Sequence, residues 1–284
     1  MMKKDFRIVL VSPENYGHLA TVRELIIGLC TSIKKLGYNC EVKFFDFDYK
    51  KINIIVGYHL VPYDSIPKDL DYVVLQLEQF FEEDGIFSVP ERRVHILDIL
   101  KSAYKVWDVF IYNIDFLKKY GIEANYLKIG YSEALEELNI NTKKTIDVLF
   151  YGAVNERRRK ILDEIETNKI RFKYLFGVYG EERNKYIEKS RIVLNIHSYN
   201  YNYFESVRVS YLLNNGIPVL SEFSKDYPWE NVPLLMVKKE EIVSALKNLL
   251  KQPKELKEYG ILCKELFKKY YPQEALIEPL IKEL

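Results

Sequence analysis

Short apolar runs recur along the chain, separated by stretches whose apolar residues repeat at helical spacing. The runs occupy residues 6–11, 53–56, 72–77, 109–112 and 126–129, then 146–151, 172–176, 192–196, 217–220 and 234–237. Runs this short, without strict alternation, suit strands buried on both faces, as in parallel sheets. Between the first two, Leu19, Val22, Ile26, Leu29, Ile33 and Leu36 fall three and four residues apart and predict one long helix ending at Gly37. Strand and helix alternating from end to end predict an α/β architecture with parallel sheets. Polar residues at 132–145, acidic and then Lys-rich, interrupt the pattern before the run at 146–151 restarts it. This divides the chain into an N-terminal domain, 1–138, a C-terminal domain, 139–262, and a helical segment, 263–284, expected to return to the first domain. The residues beyond Pro253 read as helices broken at Tyr271 and Pro272.

Charge narrows the classes of function. Forty-two basic residues face 41 acidic ones for a net charge of +1, so the global excess of positive charge that marks a nucleic-acid binder is missing. The first apolar run gives way to polar residues too soon for a signal peptide. No run approaches the ~20 apolar residues of a membrane span. Cys30, Cys40 and Cys263 are odd in number and lack metal-ligand spacing, which suggests a reducing, cytoplasmic setting. The 23 tyrosines read first as half-buried filler, although aromatic faces also stack on sugars.

Three segments of the C-terminal half carry candidate chemistry. In the first, a strand runs into Gly152, a short loop, and a helix that opens with Arg157, Arg158 and Arg159. Gly152 lets a ligand approach the backbone, Asn155 is a natural helix N-cap, and the free amides beside it favour anions. Arg157 and Arg158 supply charge for a diphosphate, with a solvated basic helix face as the alternative. In the second, the run at 192–196 leads to His197, placed either to touch a ligand or to hydrogen-bond locally. In the third, Glu205 and Ser206 precede a helix that stops at Asn214, Asn215 and Gly216. Ser206 as N-cap would leave the amides of Val207 and Arg208 open to a phosphate, while Glu205 would accept from sugar or ribose hydroxyls or complement the helix dipole.

Taken together, residues 146–222 resemble the C-terminal, donor-binding domain of group-1-type glycosyltransferases, especially the branch with a spore-maturation-protein-like C-terminal domain. The shared elements are the strand–Gly–basic-helix opening and the acidic–helix–Gly–Ile–Pro–Val segment. The resemblance implies two Rossmann-like domains facing a cleft (the GT-B type) and a nucleotide-diphosphate sugar as donor substrate, with no separate cofactor. It implies leaving-group stabilisation by helix amides and arginines without a metal, and an unidentified acceptor: a glycan, a protein or a small molecule. In the wider group two glutamates separated by seven residues flank the helix. Here those positions hold Tyr203 and Tyr211. A non-catalytic nucleotide- or sugar-binding protein of the same fold is therefore the alternative, and a sugar-nucleotide epimerase a third reading.

The N-terminal half opens as many GT-B enzymes do, with a strand, a loop containing Gly17 and His18, and a helix. In inverting members a histidine beside that glycine acts as general base, and His18 matches it; packing at the helix start is the rival role. Asp46 and Asp48 form an Asp-x-Asp pair, read as a strand-end acidic turn, and no metal site is expected. Glu78 and Gln79, and residues 113–115, also fall at expected strand ends.

Overall fold

The computed structural model describes residues 5–284. The chain forms two compact units. One comprises the residues up to Leu19, Leu25–Ile129 and Gln273–Leu284; the other comprises Ala20–Glu24 and Gly130–Pro272. The division thus falls at Ile129 and Gly130, earlier than the expected boundary at 138, and the second unit runs on to Pro272.

The first unit is built on six strands: β1 (Phe6–Leu10), β2 (Cys40–Phe44), β3 (Ile52–Val56), β4 (Tyr72–Gln76), β5 (Lys105–Asp108) and β6 (Ala124–Tyr126). They pair in parallel in the order β2-β1-β3-β4-β5-β6. Helices α1 (Arg23–Lys35), α2 (Pro90–Ser102) and α3 (Ile111–Lys118) connect them. Val9, Ile55 and Val74 of the sheet pack with Ile96, Ile99 and Leu100 of α2 into one core. The central strands β1, β3 and β4 are buried along nearly their whole length, as strands covered on both faces are, which is why they read as continuous runs.

The second unit repeats the plan. Its strands are β7 (Ile146–Tyr151), β8 (Phe172–Leu175), β9 (Ser190–Asn195), β10 (Val219–Glu222) and β11 (Leu235–Val237), parallel in the order β11-β10-β9-β7-β8. The helices are α4 (Glu156–Thr167), α5 (Gly180–Lys189), α6 (Ser206–Asn214), α7 (Ile242–Leu249) and α8 (Pro253–Tyr270); α9 (Gln273–Lys282) is counted with the first unit. Val148, Phe150, Ile192, Leu194 and Leu220 meet Ile161, Leu162 and Ile165 of α4 in the core. In each sheet the chain winds one way and then the other. The reversal lies between β1 and β3 in the first sheet and between β7 and β9 in the second. Ligands of open α/β sheets collect beyond the carboxyl ends of strands at such switch points.

Three local expectations are corrected. The run at 109–112 is not a strand: β5 precedes it, and Ile111 already begins α3. Polar residues at both ends of β5, Lys105 and Asp108, hide that strand, and the apolar run straddles the strand–helix junction. The run at 126–129 likewise trails β6. The long first helix opens as a 3₁₀ turn, Gly17–Val22, before α1 proper.

Candidate functional site

Nine of the sequence candidates converge on the carboxyl edge of the second sheet, around the switch point between β7 and β9. Gly152 ends β7 with φ +136°, and a Cβ there would lie 2.8 Å from Arg208 Nη2. Glycine suits this position because side-chain-bearing residues rarely adopt that backbone conformation, and the Arg208 guanidinium rests against its bare Cα. Asn155 caps α4, its side chain accepting from the Arg158 amide at 3.0 Å and donating to the Ser198 carbonyl at 2.6 Å.

Arg157 and Arg158, which follow, do not form the solvated basic face that was the alternative reading of the sequence. Arg157 pairs with both carboxylate oxygens of Glu222, and donates to Asn200 Oδ1 at 2.9 Å and to the His197 carbonyl at 3.0 Å. Arg158 is buried, donating to the carbonyls of Ile196 and Ala153. Burial and the nearby Arg208 charge lower its pKa to about 10, so it stays cationic at neutrality. Arg159 alone of the three is exposed. The pairing was invisible in sequence because the partner, Glu222, lies on another strand.

His197 is buried directly beyond β9. Its Nδ1 stands 2.9 Å from Glu205 Oε2, and its Nε2 stands 3.0 Å from the Phe223 carbonyl and 3.1 Å from Ser224 Oγ. A carboxylate and a carbonyl can only accept, so satisfying both requires a proton on each ring nitrogen. Burial opposes that charge, but Glu205, Glu222 and the Phe223 carbonyl raise the pKa above the ordinary imidazole value. Glu205 mirrors this. Burial would raise its carboxyl, yet His197, Arg208 and Arg158 hold it down to about 2. Its Oε2 also accepts from Asn195 Nδ2 at 3.0 Å. Glu205 itself, not Ser206, occupies the N-cap position of α6, and its carboxylate faces the strand end instead of the helix amides. Ser206 is the first helical residue, its amide donating to the Phe204 carbonyl at 3.1 Å.

The amides of Val207 and Arg208 carry no hydrogen bond among the described residues, as first-turn amides of a helix do when no cap reaches them. The Arg208 guanidinium lies over the rings of Phe150 and Tyr151 and donates from Nη1 to Asn195 Oδ1 at 2.9 Å. Its Nε and Nη2 carry no hydrogen bond among the described residues. Three guanidiniums and one imidazolium thus face the carboxylates of Glu205 and Glu222, with Asp226 a third acidic group beside His197, and Arg208 is the least saturated of the cations. Asn195 and Glu222, which organise the cluster, escaped the sequence reading. Their one signal is position, since each is a polar residue closing a buried strand. The two positions where glutamates were expected behave differently. Tyr203 lies under Lys225 Nζ, 4.4 Å from its ring centroid, and the Tyr211 hydroxyl donates to Glu137 at 3.1 Å.

Gly17 and His18 belong to the first unit, on the turn after β1. A Cβ at Gly17 would meet nothing within 4 Å, so packing does not demand glycine there. The His18 ring is exposed and sits edge-on to Tyr16, centroids 5.6 Å apart. Asp46 and Asp48 turn onto Arg7, at 2.9 and 3.4 Å.

No known family profile matches the chain. Three uncharacterized proteins of Acanthamoeba polyphaga mimivirus are related to it. One is 28% identical over 55% of this chain, a second 32% over 42%, and a third 25% over 67%. The chain spans 17% and 16% of the length of the first two and 62% of the third. Among solved structures, the T4 phage β-glucosyltransferase in complex with UDP-glucose superimposes with a TM-score of 0.61 at 15% identity over 98% of both chains. A glycosyltransferase from Rickettsia africae gives 0.59 at 9% identity over 99% and 98%. TarM gives 0.56 at 13% identity over 90% of this chain and 57% of its own. What the chain shares with these three is a fold, the two parallel α/β sheets of GT-B glycosyltransferases.

Proposed function

We propose that this chain is a glycosyltransferase that moves a sugar from a nucleoside-diphosphate sugar to an acceptor hydroxyl, with the donor diphosphate at the carboxyl edge of the second sheet. The observation that carries the reading is the unsaturated Arg208 guanidinium beside the open amides of Val207 and Arg208, within a cluster of net positive charge. Breaking the bond between the sugar and the diphosphate leaves negative charge on the departing phosphate. Preorganised donors at that point stabilise it without reorganisation. These groups supply what a divalent metal supplies elsewhere, so we take the reaction to be metal-independent. Glu205 keeps Oε1 clear of hydrogen bonds, 3.6 Å from Arg158, and can accept from a ribose or sugar hydroxyl. Arg157 and Arg158 act behind this surface, holding its backbone in place, and the loop after β7 stays close to the phosphates at Gly152.

The fold shared with GT-B enzymes supports the same reading, and within that fold we assign residues 146–222 to the spore-maturation-protein-like branch. The T4 phage enzyme is described as DNA-modifying. For this chain we propose a glycan, protein or small-molecule acceptor instead, because 42 basic residues are matched by 41 acidic ones. The three cysteines are buried and unpaired, which fits a reducing, cytoplasmic setting. On the acceptor side the sequence points to His18 as the base of an inverting reaction. A second reading, a nucleotide- or sugar-binding protein without turnover, is favoured by the inward-facing Glu205 and by Tyr203 and Tyr211 at the glutamate positions.

The test is a thermal-shift screen of uridine, guanosine, adenosine and thymidine diphosphates in EDTA. One of them at ~100 times its dissociation constant should stabilise the chain by about 2.7 kcal/mol. Binding that EDTA abolishes and manganese restores would contradict the metal-free account.

A further inference from the structure

The first sheet ends on an edge that is open among the described residues. β2 is the outermost strand in the order β2-β1-β3-β4-β5-β6 and pairs with β1. The bonds flanking that ladder fix which way its backbone points. The Phe6 amide donates to the Asn39 carbonyl at 2.9 Å, and the Phe45 amide to the Leu10 carbonyl at 3.1 Å. Every second residue of a paired strand turns its N–H and C=O inward, so Asn39, Glu41, Lys43 and Phe45 face β1. Cys40, Val42 and Phe44 turn theirs outward, where they have no hydrogen bond among the described residues. The side chains are uncovered too. Val42 is 40% exposed, Phe44 51% and Phe45 38%, an apolar patch on the edge itself. Between the apolar positions stand opposite charges. Arg7 and Lys51 both reach Glu41 Oε1, at 2.7 and 2.5 Å, and Oε2 accepts nothing among the described residues. Lys51 and Arg7 hold the Glu41 carboxyl down to about 2, so it stays ionised. Lys43 is exposed, with no ion-pair partner among the described residues.

We infer that this edge docks a second copy of the chain, β2 against β2, antiparallel about a two-fold axis at Val42. In that register the outward groups meet: Val42 with the partner's Val42, Cys40 with the partner's Phe44, and Phe44 with the partner's Cys40. Each of these pairs exchanges two N–H···O bonds. At the closely spaced pairs between them, Glu41 lies opposite the partner's Lys43 and Lys43 opposite the partner's Glu41. Centring the axis on Glu41 or Lys43 instead keeps the backbone bonds but sets like charges against each other, which is unfavourable. A lysine on an edge strand ordinarily discourages pairing. Here the register that uses all of residues 40–44 supplies its counter-charge, and the surface is self-complementary, as a two-fold interface must be. This association is independent of the transfer reading.

A five-residue edge is a small interface of the transient class, so association should follow concentration. Sedimentation velocity from about 1 to about 100 µM should show a monomer giving way to a dimer. Residue-resolved hydrogen exchange over the same range should show the amides of Val42 and Phe44 gaining protection. Those of Glu41 and Lys43, bonded to β1, should stay protected throughout. Val42→Pro deletes an outward N–H that the ladder with β1 does not use, so it should leave the fold intact and abolish the dimer. Lys43→Glu, a change to an exposed side chain, should weaken the dimer about tenfold, and added salt should lessen that penalty by screening. A monomer at every concentration overturns the inference. So does a dimer that Lys43→Glu and a folded Val42→Pro form as readily as wild type. Protection of Val42 and Phe44 that dilution leaves unchanged overturns it as well, since the edge would then be covered within one copy.

Discussion

Hydrogen-bond saturation separates the arginines that shape the carboxyl edge of the second sheet from the one proposed to meet the diphosphate. Arg158 holds three bonds to carbonyls of the second unit's loops, so its loss leaves buried acceptors empty. Arg158→Ala should destabilise the chain by about 3–5 kcal/mol, visible as a lower Tm, whereas Arg159→Ala should change stability by no more than about 0.5 kcal/mol. Arg208→Ala should leave the fold largely intact and weaken nucleoside-diphosphate affinity about 10- to 150-fold, the equivalent of roughly 1.5–3 kcal/mol for a charge-assisted bond, read by calorimetry. Sequence placed Arg157, Arg158 and Arg208 near a ligand but could not rank them, because ranking depends on partners as far as 65 residues away. The His197–Glu205 pair makes a pH prediction. His197 is raised above 6.5, so its contribution is complete below that value and lost as pH rises through the folded pKa. Glu205, depressed from 4.5 to about 2, contributes above 4.5 and loses that contribution as pH falls towards 2. The Tm advantage of wild type over His197→Gln should therefore shrink as pH rises beyond 6.5 and through the raised pKa; a constant advantage would contradict the imidazolium.

At the scale of elements, buried strands were legible wherever apolar residues filled both faces. β7 matches its run residue for residue, while β5 was missed behind Lys105 and Asp108. The stop at Asn214 and Asn215 was legible as a helix end but not as a clamp. Asn214 exchanges hydrogen bonds with the Ser132 backbone, and Asn215 accepts from the amides of Glu137 and Leu138. That tie fixes residues 132–138 against α6, a long-range fact no local pattern carries. Gly260 in α8 is similar. A Cβ there would lie 2.4 Å from the Gly216 carbonyl oxygen and 3.0 Å from Pro218. The helix rests directly on the backbone that leads into β10. Gly260→Ala should therefore cost about 1–3 kcal/mol through overpacking, despite alanine's better helix propensity, and an unchanged or higher Tm would show that α8 can shift.

For the molecule as a whole, the alternation of strand and helix sufficed for the fold, because two parallel sheets leave the same signature twice. The candidate site on the second sheet was legible as strand ends and helix starts, since chemistry in such folds gathers where strands stop. The buried network of Tyr58, Gln76, Asp108 and Asn113 in the first unit was not, because it comes from four separate elements with no motif in common. The central claim is that the second unit holds a nucleoside-diphosphate sugar for transfer. The most direct measurement is nucleotide release from the four nucleoside-diphosphate glucoses in EDTA, with wild type and Arg208→Ala compared. We expect saturable turnover with at least one donor, and a loss of at least about tenfold in Arg208→Ala. Saturable binding with no release of nucleotide, or release that ignores the loss of Arg208, would contradict the account.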